Sequence, residues 1–201
     1  MKKYKIYYIN LKHREDRLED IEKSLDECGL LDLSERFEAV EVKENGVLGC
    51  VLSHIGVIKK FINSDEEYAI IIEDDLFIKE TSTFKGIIDN FFEQEIDFDV
   101  TQISGNHLNT KETKYGFLHK VIDSQTTSGY ILSRKFSQTL LDNFEESCDL
   151  MKKYGKNYDY CLDIYWKKLQ PNNNWFCFMP PLAYQKAGYS DIENKNVDYG
   201  V

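Results

Sequence analysis

The residues best equipped for chemistry are Glu73, Asp74 and Asp75, three successive carboxylates that close the apolar run Tyr68-Ala69-Ile70-Ile71-Ile72. A short, uncharged, β-branched run predicts a buried strand. Carboxylates crowded at its mouth lose solvation and repel one another, so they call for a cation. Mg²⁺ and Mn²⁺ suit the place, because hard ions take oxygen ligands and commonly bridge one or two carboxylates to a phosphate. A solvated acidic turn is the plainer account, and the triplet alone does not decide between the two.

Four further groups have chemical potential. Asn10 and Leu11 end the leading apolar stretch, and His13, Arg14 and Arg17 follow. Cations just past a strand can meet a diphosphate, and Arg14 and Arg17 share one side of a helix. Glu15, Asp16 and Glu19 around them make an ordinary charged helix surface the plainer account. The segment Gly49-Cys50-Val51-Leu52-Ser53-His54 predicts a helix opening, whose amides attract anions, with Ser53 and His54 as added donors. The plainer role for His54 is a hydrogen-bonded core residue, and Cys50 reads as a small buried hydrophobe. Asp159 and Asp163 are four apart, which puts them on one face of a predicted helix where either would serve as a general base. Asp163 is preferred because Tyr165 and Trp166 beside it would offer an aromatic stacking face. Asp159 is also explained by its place near a helix start. Polar tips at Ser104-Gly105-Asn106-His107 form a weaker group.

Alternating apolar runs and helical stretches predict an α/β layered fold that positions these groups. Strands are expected at 5–11, 37–42, 68–72, 98–104, 129–132 and 175–179. Helices are expected at 14–28, after Gly46 and Gly49 through Ile62, at 83–92, from an N-cap at Ser133 to Asn143, and at 159–169. Residues 187–201 are polar and read as a loop or lid. No linker divides the chain, so a single domain over 1–201 is expected.

Composition narrows the class. The chain has 201 residues, 42% apolar and 13% aromatic, with a formal net charge of −10. That is ample material for a core, and the acidity argues against nucleic acid or an anionic membrane surface as partner. A nucleotide stays admissible, because a bound metal reverses the local field. Five widely spaced cysteines contain no C-x-x-C pair, which suggests neither a zinc site nor a disulfide framework. Reduced thiols in the cytoplasm are expected. No apolar stretch approaches the ~18 residues of a membrane span.

Several of these stretches fall in the same order as in glycosyltransferase family 25, the lipopolysaccharide and collagen galactosyltransferase group. They are Tyr8-Ile9-Asn10-Leu11 with Arg14 and Arg17, Phe37-Glu38-Ala39-Val40, Gly49 to His54, Ile72-Glu73-Asp74-Asp75, and Thr127 to Ser133. The chain resembles that family well over its first 80 residues and moderately over 127–143. The resemblance implies a GT-A-type, Rossmann-like domain with a central mixed sheet. It also implies inverting transfer of a hexose, galactose or glucose, from a UDP-sugar to a glycan or glycosylated acceptor. Glu73-Asp74-Asp75 would act as a DxD-type motif holding Mn²⁺, or Mg²⁺, on the diphosphate. Asp75 would be the direct ligand, and Glu73 would contact ribose, sugar, metal or a metal-bound water. Asn10, Leu11, Arg14 and Arg17 would lie near nucleoside and diphosphate, with Gly49, Ser53 and His54 lining the same cleft. Gln185, Ser190 and Asp191 look like the closing segment of several sugar transferases. His13 has no assigned role, since the family commonly carries Arg or Ser near there. Two other classes are compatible with the residues: a metal-dependent phosphodiesterase or pyrophosphatase, and a silent nucleotide-sugar-binding module.

Overall fold

The structure, a computed structural model, describes residues 3–193, 195–198 and 200. The expected tail therefore includes positions 194, 199 and 201, which lie outside the described residues. The chain runs β1 (Tyr4–Asn10), α1 (Glu15–Glu27), β2 (Ser34–Glu38), α2 (Gly46–Ile62), β3 (Tyr68–Glu73), β4 (Leu76–Ile78) and α3 (Thr81–Glu93). It continues through β5 (Val100–Gln102), β6 (Asn106–Glu112), β7 (Leu118–Gln125), β8 (Gly129–Ser133), α4 (Arg134–Tyr154) and α5 (Leu162–Tyr165). The last strands are β9 (Trp175–Phe178), β10 (Ala183–Gln185), β11 (Gly188–Ser190) and β12 (Lys195–Val197).

Eight strands form one mixed sheet in the order β2-β1-β3-β8-β5-β9-β7-β6. β1 runs parallel to both β2 and β3, whereas β8 is antiparallel to β3 and β5. Helices cover both faces, which explains why β3 reads as a continuous apolar run with no alternation. Tyr7, Ile9 and Ile71 pack with residues of α2 and α4 on one face. Ile6, Ile70 and Ile72 pack with residues of α1 and α3 on the other. Among the described residues no helix is long and apolar enough to cross a membrane. The α/β architecture with a central mixed sheet is the one expected from sequence.

Several boundaries differ, for physical reasons. The second strand is 34–38, because Ile6 to Asn10 pair in parallel with Ser34 to Glu38 and leave 39–42 as a connection. The α2 helix begins at Gly46, where the Asn45 side chain accepts from the Leu48 amide. Gly49 is therefore inside the first turns, and its amide is used by the Asn45 carbonyl. The α4 helix continues to Tyr154, because Phe144, Cys148 and Met151 extend its buried face until Gly155 turns out at φ +85. The β6–β7 hairpin is absent from the sequence expectations. Its outer strand is half-exposed and polar, so it lacks an apolar pattern. The expected 159–169 helix is three short pieces, broken where Cys161 adopts an extended backbone. Part of the expected tail loop is a two-stranded ribbon, β11 with β12.

Candidate active site

Parallel β1 and β3 bring their carboxyl ends side by side, the usual ligand edge of an α/β sheet. Asn10 ends β1 and Glu73 ends β3. The Asp74 amide then donates to the Ile9 carbonyl, which draws the acidic turn across the end of β1. Beneath it lies a cavity of about 340 Å³, within the ~300–1,000 Å³ span of small-molecule sites. Ile9, Leu11, Ala39 and Val42 give it apolar lining. Glu73, Asp74 and Asp75 line it as well, with Arg17, Lys43 and Lys186 as its basic residues.

The three acids have different environments. Glu73 accepts from Thr127 Oγ1 at 2.8 Å and pairs with His54 Nε2 at 3.2 Å. Burial would raise its pKa, but these two contacts outweigh it, so Glu73 stays below the ordinary carboxylate range. Asp74 accepts from Asn10 Nδ2 at 2.7 Å and from Arg17 at 2.9 Å. Burial nevertheless pushes its pKa up. Asp75 Oδ2 accepts from Arg17 and from Gln185 Nε2, each at 3.2 Å. Its Oδ1 is buried with no hydrogen-bond partner among the described residues. Burial, then the negative charge of Glu73, raises Asp75 to about 7 despite Arg17. A buried carboxylate oxygen without a donor, in a group that resists ionising, is what an oxygen-seeking cation would relieve. The donor set at Asp75 and Glu73 thus fits a hard divalent metal.

A loop between β7 and β8 ties a fourth carboxylate to this group. The Thr126 amide donates to Asp163 Oδ2 at 3.1 Å, while the next residue, Thr127, holds Glu73. Thr126 has φ +79, a left-handed conformation that costs a β-branched residue about 1–2 kcal/mol. The strain lets adjacent residues face two acids at once. Burial raises the Asp163 pKa, with the Thr126 amide opposing it. Sequence reasoning gave Thr126 and Thr127 no role. The signal lay in a Thr-Thr-Ser-Gly loop entering a wholly buried strand.

The other expected site residues divide. Leu11, Gly49, Ser53, His54, Gln185, Ser190 and Asp191 all line the cavity. Gly49 does so as a spacer, since a Cβ there would meet the Val40 carbonyl oxygen at 2.5 Å. It presents no helix N-terminus, contrary to the expected helix opening at this segment. The Ser53 hydroxyl is engaged within the fold, donating to the Gly49 carbonyl and accepting from the Val40 amide. His54 is fully buried between Tyr130 and Glu73. Arg14 pairs with Asp16 and, at 2.6 Å, with Asp191, so it straps the C-terminal segment to α1 rather than lining the cavity. Arg17 adds to the strap by donating to the Tyr189 carbonyl. The expected helix face shared by Asp159 and Asp163 does not exist, and Asp159 is exposed in a separate 3-10 turn. Trp166 cannot stack on a sugar: it is buried among Tyr130, Phe144 and Trp175. The Tyr165 ring lies under Lys168 Nζ at 3.8 Å.

Residues 44–161 match the model of glycosyltransferase family 25 (LPS biosynthesis protein). The chain belongs to that family. This glycosyltransferase is similar in fold to a solved glycosyltransferase involved in glycosylation of the major capsid of PBCV-1. The two are 10% identical with a TM-score of 0.57, over 95% of this chain and 96% of that one. A UDP-glucose pyrophosphorylase solved with UDP-glucose is similar at a TM-score of 0.50 and 11% identity, over 90% of this chain and 74% of that one. No curated protein sequence matches at a significant level. Family membership sets aside the phosphodiesterase reading in favour of sugar transfer.

Proposed function

We propose that this family 25 glycosyltransferase moves a hexose, galactose or glucose, from a UDP-sugar to a glycan or glycosylated acceptor, with inversion and with Mn²⁺ or Mg²⁺ on the donor diphosphate. The observation that carries the reading is Asp75, a half-buried carboxylate in the cavity lining whose buried Oδ1 has no hydrogen-bond partner among the described residues. Asp75 would hold the metal with Glu73 beside it. An ion bound there would offset the negative charge that grows on a departing nucleoside diphosphate.

The chain's own residues supply the rest. The apolar lining of the cavity takes the uracil base, and Arg17, Lys43 and Lys186 add charge beside the diphosphate. Inversion by single displacement needs a base for the acceptor hydroxyl. Asp163 fills that role: it is half-buried, fixed by Thr126, and its raised pKa brings it closer to the proton it must take. Arg14 and Asp191 hold the C-terminal segment against the cavity and keep water from the transferring sugar.

A screen of UDP-sugars with and without Mn²⁺, repeated on Asp75→Ala, tests the proposal. Metal-dependent release of UDP from one hexose donor, lost in the variant, is expected. Unchanged turnover in Asp75→Ala would remove the metal role, and release of UMP would replace transfer with pyrophosphate cleavage.

A further inference from the structure

A second cation site, of different chemistry, lies on the inner wall of the cavity. Cys50 and His54 are one helical turn apart on α2 and so share a face. Glu73, at the end of β3, faces them across the sheet–helix boundary. The Cys50 thiol, a His54 ring nitrogen and a Glu73 carboxylate oxygen all lie within 4.8 Å of one another. Tetrahedral Zn²⁺, with bonds of about 2.0–2.3 Å, spaces its ligands about 3.3–3.7 Å apart. His54 Nε2 and Glu73 Oε1 are already 3.2 Å apart, so only modest side-chain rotation at Cys50 is needed.

The surroundings suit a bound metal in two further ways. His54 Nδ1 is 3.0 Å from the buried Tyr130 hydroxyl, a contact that fixes the ring and leaves Nε2 directed at Glu73. Metal-bound histidines are usually anchored through their other nitrogen in this manner. All three donors line the cavity, so an ion has an entry path and a fourth position open to water or ligand.

We propose that Cys50, His54 and Glu73 form an open, three-ligand site for a thiophilic divalent cation, Zn²⁺, separate from the hard-metal position at Asp75. Binding forms a zinc–thiolate bond, and the thiol proton leaves to solvent. The two positions share Glu73 and differ in every other ligand, with sulfur and imidazole selecting the softer ion.

Cobalt(II) is the probe, titrated into the metal-free full-length protein and followed by absorption. The expected result is an intense thiolate charge-transfer band that reports one thiolate-bound Co²⁺ per chain and is displaced by Zn²⁺. Cys50→Ser, close in size and at a partly exposed position, should abolish the band and weaken Zn²⁺ binding at least tenfold. Tyr130→Phe should weaken Co²⁺ binding by about tenfold while keeping the band. Asp75→Ala and Cys161→Ser should keep the band unchanged. Absence of the band in the wild type, its survival in Cys50→Ser, or its loss in Asp75→Ala or Cys161→Ser overturns the site. Because Asp75→Ala removes the proposed hard-metal ligand and keeps the sulfur band, failure of either metal assignment is seen apart from the other.

Discussion

Replacing Asp75 by asparagine should stabilise the metal-free protein while removing its activity. In the fold, Asp75 is raised from 3.8 to about 7, first by burial and then by Glu73. Between those values the folded state holds a proton that the unfolded chain has released, so stability falls as pH rises. The loss is complete above about pH 7, where the native carboxylate must ionise in place. At about 1.4 kcal/mol per tenfold, the full difference caps the effect near 4 kcal/mol. Arg17 keeps Asp74 as an acceptor, the introduced amide oxygen can accept from Gln185, and some water reaches a side chain that is 15% exposed. A gain of about 1–3 kcal/mol at pH ~8 is therefore the working figure. For a chain of this size that is a rise of about 2–12 °C in Tm. Thermal unfolding of both proteins without metal, at pH ~4.5 and ~8.5, would show the difference growing with pH. Mn²⁺ with UDP should raise the Tm of the wild type only. A variant less stable than wild type at the higher pH, or equally stabilised by Mn²⁺ and UDP, would refute the reasoning.

Other substitutions follow from the same geometry. Asp163→Asn should keep donor binding, read by calorimetry with UDP and Mn²⁺, and lose transfer by about 10²–10⁴-fold; Asp159→Asn, exposed and remote, should change neither. Arg17→Ala leaves Asp74 and Asp75 without their shared cation and should cost about 2–4 kcal/mol in denaturant unfolding near pH 8. That cost should shrink towards pH ~5, as Asp75, raised to about 7, takes up its proton. Gly49→Ala should destabilise by about 1–3 kcal/mol because the new methyl meets the Val40 carbonyl oxygen at 2.5 Å. Gly86→Ala, with nothing within 4 Å of its added Cβ, should instead stabilise α3 by about 0.5–1 kcal/mol.

Local order along the chain was enough to determine the layered fold and the acidic turn. An apolar run the length of one strand, ending in three acids, places those acids at a sheet edge whatever else surrounds them, because burial and chain direction are both local properties. The same holds for the inward face of α2 and for that of α4 as far as Asn143, whereas the rest of α4, to Tyr154, was not read from the sequence. Partnership between distant residues was decided by the tertiary structure. Arg17 reads as a diphosphate ligand or a surface charge until α1 packs against the end of β3 and turns it onto Asp74 and Asp75. Asp159 and Asp163 read as one helix face until Cys161 breaks the helix and Thr126 captures only the second. Cys50 and His54 carry no recognisable metal spacing alone, because their third donor arrives from β3, nineteen residues beyond His54. Periodicity reports which face of an element is buried, whereas pairing across the sheet depends on packing angles that no short window of sequence contains.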